Sequence, residues 1–335
     1  MFTAGILRHF SSRKDGTMLL NSRLTLALVA LGACVASSAQ AQFVREEILA
    51  VESMNVSIAE VLHGQKGTKI TLGGLLRLAK PGPNQPVVVI FHHAGGSGGA
   101  RGTVDEWSNF LNAEGLSTFV VDSYAPRGIN SAADLGKCPA LTRIPDAFAA
   151  LDVLTKHPLV DPKKIIIMGQ SHGTLAAIYS GLERFQKVYG SGQKFAAHIS
   201  IYGICTVRVQ GDEATTGPVL FLHGTADTWV SIEACREYAQ RLKSAGKAAQ
   251  MFEYEGADHL FDGPSVQRRE FPAANISGWC NQQEANGALL NTATGKPLVP
   301  SDACFRKGAS IGFNEPAMLK AHEHGLAFIK EVFSK

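Results

Sequence analysis

Three residues in this sequence are of the types that acyl-transfer chemistry needs, and they occur in a telling order. Ser171 lies within Gly169-Gln170-Ser171-His172-Gly173, directly after the apolar run 164–168 and before the apolar stretch 174–179. A serine displayed at the tip of a strand-to-helix turn has strained backbone angles and close neighbours on both sides, so little beyond glycine fits at the flanking positions. The pattern therefore reads as a nucleophile elbow. A serine hydroxyl is a poor nucleophile at neutral pH and needs an imidazole to take its proton and a carboxylate to orient that imidazole.

Both partners occur further along the chain. Residues 219–222 form an apolar run followed by His223-Gly224-Thr225-Ala226-Asp227, and residues 251–254 lead to Glu255-Gly256-Ala257-Asp258-His259. Asp227 and His259 thus follow strand ends in the order that a doubly wound hydrolase requires. Each has competitors. Asp227 also suits a cap for a helix starting near Ser231, and Asp258 and Asp262 are rival acids. Of the other histidines, His223 precedes the acid, His198 falls inside a strand, and His322 and His324 fall in a terminal helix. His172 adjoins the nucleophile and is more useful for its backbone N–H, one of two donors expected for an oxyanion.

The second donor is expected from the loop after residues 87–91, which reads His92-His93-Ala94-Gly95-Gly96-Ser97-Gly98-Gly99. Glycines there let the main chain approach a developing negative charge, and the N–H of His93 or Ala94 would serve. The His92 and His93 side chains are expected to line the crevice. A phosphate-cradling role is the competing reading of so many glycines, but no Gly-Lys-Ser/Thr ending follows. Arg127, in a turn, is a candidate contact for an anionic substrate group, with a structural hydrogen-bonding role as the alternative.

The elements that must position these groups are visible as periodicity. Apolar strand runs at 87–91, 117–121, 165–168, 196–201, 219–222 and 251–254 alternate with amphipathic helical patterns at 104–114, 144–156, 172–188 and 232–245, and a last helix is expected at 316–333. Two extended segments, 47–51 and 68–78, precede them. Strict alternation with continuous apolar strands argues for an α/β fold, a doubly wound and mostly parallel sheet covered by helices on both faces. Residues 262–315, rich in Gly, Asn and Pro, break the rhythm before the last helix and read as a lid-like insertion.

The first 41 residues stand apart. Arg23 precedes a short apolar stretch, 24–31, that ends in Ala39-Gln40-Ala41, the pattern of a secretory signal cleaved before Gln42. Its apolar core is shorter than the roughly 20 residues a bilayer span needs, so no transmembrane span is expected. Met18 is an alternative start, and Leu31-Gly32-Ala33-Cys34 resembles a lipobox that would make Cys34 a lipidated first residue. Residues 42–335 are then one domain in the periplasm or outside the cell. The whole-chain excess of +3 belongs to the leader. Without Arg8, Arg13, Lys14, Asp15 and Arg23 the acidic and basic side chains are equal in number. A near-neutral chain with no basic run offers no footprint for nucleic acid.

Export makes disulfides the favoured reading of the cysteines. Cys280 and Cys304 flank a polar, Asn- and Gly-rich loop and are the candidate bridge, while the pairing of Cys138, Cys205 and Cys235 stays open. No Cys-x-x-Cys or Cys/His ligand cluster is present, so no metal site is expected.

With these residues in view, the chain resembles the dienelactone hydrolase family of α/β-hydrolases, specifically its exported branch with a serine nucleophile. The likeness rests on His92-His93-Ala94-Gly95-Gly96, on Asp122-Ser123-Tyr124-Ala125-Pro126-Arg127-Gly128, on Gly169–Gly173, on His223–Asp227 and on Asp258-His259, spanning about 86–262. The resemblance implies hydrolysis of a small-molecule ester or lactone through an acyl-enzyme, without metal or organic cofactor. The founding enzymes carry cysteine where this chain has Ser171, and the 262–315 insertion exceeds the family's usual length. A serine peptidase or amidase of the same fold, and a non-catalytic binding protein that retains it, are the alternative readings. Oligomeric state is not legible.

Overall fold

The computed structural model describes residues 43–335, which belong to one compact unit. The expected leader, with the alternative start at Met18 and the lipobox cysteine Cys34, lies outside the described residues. The chain opens with β1 (Arg45–Asn55), a single turn α1 (Ile58–Leu62), β2 (Thr68–Leu78) and β3 (Gln85–Phe91). A short α2 (Gly96–Gly99), α3 (Arg101–Ala113), β4 (Ser117–Asp122), α4 (Ile144–Thr155) and β5 (Val160–Gln170) follow. Beyond the elbow come α5 (Thr174–Tyr179), α6 (Glu183–Tyr189), β6 (His198–Ile201), the two-residue β7 (Val207–Arg208), β8 (Val219–Gly224), α7 (Ile232–Ser244) and β9 (Ala249–Tyr254). The insertion contributes β10 (Arg269–Ile276), β11 (Gln282–Ala285), β12 (Ala288–Asn291) and β13 (Arg306–Ile311) before the final α8 (Glu315–Phe333).

Eight strands form the central sheet in the order β1-β2-β4-β3-β5-β6-β8-β9. β1 pairs antiparallel with β2, and β2 antiparallel with β4. Every later pair is parallel. Parallel strands in the middle of a sheet are covered on both faces, which is why their sequences are apolar without interruption. Side chains alternate between the faces. Val88, Ile90, Ile166 and Met168 pack with Trp107 and Leu111 of α3 and Phe328 and Ile329 of α8. Val87, Val89, Phe91, Ile165 and Ile167 pack with Ala147, Leu151 and Leu154 of α4 and Ala176 and Ala177 of α5.

One expectation about regular structure is corrected. The helical pattern read over 172–188 is broken, because Leu182 adopts an extended conformation and pairs antiparallel with Thr215. Gly181 makes this approach possible: a Cβ there would sit 2.7 Å from His198 Nε2 and 2.8 Å from Thr215 Oγ1. The 262–315 insertion, read as lid-like, contains an antiparallel β10–β13 ribbon and a β11–β12 hairpin that joins β7 in a three-stranded sheet. Cys280 and Cys304 are disulfide-bonded inside it, Cys205 is bonded to Cys235, and Cys138 is a free, buried thiol. Among the described residues no helix is long and apolar enough to cross a membrane.

Candidate active site

β5 ends in the elbow. Ser171 has φ +47°, in the left-handed region that a side chain with a Cβ rarely adopts, and a 3-10 turn over Ser171–Gly173 leads into α5. The flanking glycines are required by space. A Cβ on Gly169 would run into the Gly173 carbonyl and approach the Ala177 Cβ to 2.8 Å. One on Gly173 would collide with the Phe91 carbonyl and lie 3.0 Å from that of His92. The elbow is thus wedged against the end of β3.

Three strand ends bring the reactive groups together. Ser171 Oγ lies 3.0 Å from His259 Nε2, and His259 Nδ1 lies 2.7 Å from Asp227 Oδ2. All three residues are buried. Asp227 is held from the other side by the backbone N–H groups of Trp229 and Val230, which donate to Oδ1 at 2.8 and 3.0 Å. Burial by itself would raise this carboxyl, but the His259 and His223 rings beside it hold it well below the usual carboxylate range. It is therefore an anion that fixes the His259 ring with Nδ1 protonated and Nε2 facing the serine.

The rival acids are engaged elsewhere. Asp258 accepts from Ser310 Oγ at 2.6 Å and pairs with Arg268 at 2.5 Å. Asp262 is fully buried and accepts from Trp107 Nε1 at 2.8 Å and Tyr202 OH at 2.9 Å. Tyr202, itself at φ +38°, stands edge-on to the His259 ring with centroids 4.8 Å apart.

A cavity of about 390 Å³ opens on Ser171 and His259, and His93, Ala94 and His172 share its wall. The His93 ring accepts from the Gly95 N–H at 2.9 Å and is depressed to about 3 by burial, with His259 and Arg143 adding to the effect. His172 shares a 2.8 Å hydrogen bond with Tyr124 OH through Nδ1 and is likewise depressed to about 3, first by burial and then by Arg143. Both rings are neutral at physiological pH.

Two substrate-contact expectations are corrected. His92 does not line the cavity: it is fully buried, its Nδ1 bonds the His93 carbonyl at 2.8 Å, and its ring packs edge-on against Tyr124. Arg127 is committed to the protein. Its Nη atoms form a two-point ion pair with Asp146, both contacts at 2.8 Å, and also donate to the Ser123 and Met54 carbonyls. With Nε donating to Asn55 Oδ1, all five N–H groups are used. No donor is left for a ligand.

The residues that shape the cavity carry no motif by which sequence reasoning finds them. Trp229 and Val230, just past the acid, face Phe271 and Ile276 of β10, with Ile204 and Leu135 completing an apolar wall. Trp229 and Phe271 meet edge-to-face at 5.5 Å. The insertion is tied to both chemical loops. The Gly278 carbonyl accepts from Ser231 N at 3.2 Å, Trp279 Nε1 donates to the Thr228 carbonyl at 3.0 Å, and Gly312 N donates to the His259 carbonyl at 3.1 Å. No group of three or more His, Cys, Asp or Glu side chains among the described residues is placed to hold a metal ion.

A mostly parallel sheet whose central strand delivers an elbow serine to a histidine and an aspartate from later strand ends defines a serine-type α/β-hydrolase. Residues 74–286 match the model of the dienelactone hydrolase family, and the chain belongs to that family. In three dimensions it is similar to the dienelactone hydrolase-like promiscuous phosphotriesterase P91 from metagenomic libraries. That likeness has 17% identity and a TM-score of 0.56, over 86% of this chain and 98% of that one. It is also similar to Thermogutta terrifontis esterase 2 phosphoramylated by tabun, at 19% identity and a TM-score of 0.50, over 67% of this chain and 88% of that one. At such identities the likeness is one of fold. No curated protein matches the chain.

Proposed function

We propose that this chain is an exported serine hydrolase that cleaves carboxylic esters or lactones through an acyl-enzyme. The observation that carries the reading is the continuous hydrogen-bonded line from Ser171 Oγ through His259 to Asp227, ending in an apolar cavity. His259 Nε2 takes the hydroxyl proton as Ser171 Oγ attacks the acyl carbon. Charge on the carbonyl oxygen is met by the N–H of His172 and by that of His93 or Ala94. His259 then returns the proton to the leaving alkoxide, and a water activated by the same ring releases the acid and restores Ser171. Asp227 keeps the ring in the productive tautomer throughout.

The cavity wall supports an uncharged acyl group: Trp229, Phe271, Ile204, Leu135 and Ile276 offer aromatic and aliphatic surface and no charge. The neighbours in fold are described as an esterase and a promiscuous phosphotriesterase, and both descriptions fit serine chemistry on carbonyl or phosphoryl centres. Two disulfides fit an oxidising compartment, in line with a leader that directs the chain to the periplasm or beyond.

A panel of nitrophenyl esters of graded acyl length, run beside lactones and peptide amides, tests the reading. Turnover of esters or lactones that disappears in Ser171→Ala supports it. Cleavage of amides alone would replace it with a peptidase, and no turnover of any of the three by folded protein would contradict it.

A further inference from the structure

Arg143 is placed against three electrostatic preferences at once. It is fully buried, and it ends the Ala140–Arg143 turn at the positive, N-terminal end of α4. A cation is disfavoured there, since a helix start favours negative charge. Among the described residues it has no carboxylate partner, because Asp146, in the first turn of α4, is taken by Arg127. Its Nε and Nη2 have no hydrogen-bond partner among the described residues either. An arginine stays charged in a protein, and an unpaired buried charge costs several kcal/mol.

The contacts it does make converge on the two loops flanking Ser171. Nη1 donates to the His92 carbonyl at 2.8 Å. The guanidinium carbon lies 5.2 Å from the centre of the Phe91 ring and 5.1 Å from that of Tyr124, within cation–π range of both. Tyr124 in turn holds His172 through its hydroxyl at 2.8 Å. So one cation touches the carbonyl end of the His92–His93 peptide and, through one aromatic ring, the residue that follows the nucleophile.

We propose that Arg143 is a positioning residue for the oxyanion. Its charge holds the His92 carbonyl, at the start of the loop that carries one expected donor, and steadies the Tyr124–His172 arm that carries the other. The inference rests on the serine-hydrolase reading above. A buried cation whose field is felt at His93 and His172, on the cavity wall, is destabilising in the resting protein and offsets negative charge that develops there in a medium of low dielectric. The cost of burying Arg143 unpaired is therefore recovered when an acyl carbon is attacked.

The test compares Arg143→Lys with Arg143→Gln in the full chain, since both side chains carry hydrogen-bond donors and only lysine carries charge. For each variant, melting temperature, kcat and KM for a nitrophenyl ester are measured, together with inhibition by an alkyl boronic acid, which becomes a tetrahedral anion on serine, and by an unreactive ether isostere of the ester. Arg143→Gln is expected to lose at least about tenfold in kcat, below the 10²–10³ that follows removal of a whole oxyanion donor. Its KM and its affinity for the ether should stay within about twofold, and boronate affinity should fall by the same factor as kcat, with Arg143→Lys retaining more of both. Equal kcat in Lys and Gln variants of matched melting temperature would overturn the proposal, as would equal weakening of boronate and ether, which is what a merely structural displacement of the cavity produces. Absence of ester turnover in the wild type would remove the serine-hydrolase reading itself, a result separable from the other two.

Discussion

His223 approaches, at 3.4 Å, the same Asp227 carboxylate oxygen that His259 holds at 2.7 Å. The shorter contact orients the base, whereas the longer one is at the limit of a useful hydrogen bond. The two should separate by mutation. Asp227→Asn is expected to lower kcat by about 10³–10⁴, because the His259 tautomer is no longer enforced. His223→Gln should cost less than about tenfold. Steady-state kinetics on one ester checks the ranking, and a larger loss at His223 than at Asp227 would mean that the acid has been misassigned.

The elbow glycines make a second prediction. Gly173→Ala places a methyl group against the Phe91 carbonyl, and main chain on both sides has nowhere to move. A loss of several kcal/mol, or failure to fold, is expected. Gly192→Ala is a counterexample of a different kind: nothing lies within 4 Å of its Cβ position, and only its φ of +96° opposes the change. Denaturant unfolding of the two variants should show the elbow substitution to be the more damaging.

Asp262 gives stability a pH dependence whose sign is opposite to that of Asp227. Burial raises its pKa to about 6, against the hydrogen bonds from Trp107 and Tyr202, while an unfolded aspartate titrates near 4. The folded state therefore holds a proton that the unfolded state releases. Its contribution is fully present below pH 4 and is lost as pH rises through 6. Asp227, depressed in the fold, contributes above the unfolded carboxylate range and loses that contribution only in strong acid. Asp262→Asn should therefore gain on the wild type by on the order of 2 kcal/mol between pH 4.5 and 7.5. Thermal melts at the two pH values decide it; a gap that widens in favour of the wild type at high pH would contradict the sign.

The Cys280–Cys304 bridge joins residues 24 apart in the insertion, and Cys280 lies two residues beyond Gly278 of the cavity wall. Removing it as Cys280→Ser/Cys304→Ser should cost about 3 kcal/mol by loop entropy. Because the insertion also holds the acid and base loops through Gly278, Trp279 and Gly312, KM for long-chain esters should shift more than KM for acetates. Calorimetry with and without reductant, paired with the ester panel, checks both effects.

The legible part of this structure was the part governed by periodicity and chain order. Continuous apolar runs such as 165–168 can only be strands covered on two faces, and the ends of such strands are where Ser171, Asp227 and His259 stand. What sequence withheld depends on contacts between distant segments. His92 and His93 are adjacent and chemically identical, yet one ring is buried under Tyr124 and the other borders the cavity, because the turn after β3 sends them to different sides. Arg127 looked available until Asp146, Asn55 and Met54 were placed around it. The insertion's strands were hidden by composition: Gln282–Ala285 is a polar run that becomes a strand only because β7 and β12 flank it. Arg143 gave no signal at all, since neither its burial nor the absence of a carboxylate partner among the described residues is written in its neighbours.

The central claim is that Ser171 is the nucleophile, and covalent trapping tests it most directly. The folded protein is treated with a fluorophosphonate and its intact mass is measured, followed by peptide mapping. One adduct per chain on Ser171, absent in Ser171→Ala and slowed in Asp227→Asn, is the expected result. Folded wild-type protein that stays unlabelled, or labels equally well without Ser171, would contradict the account.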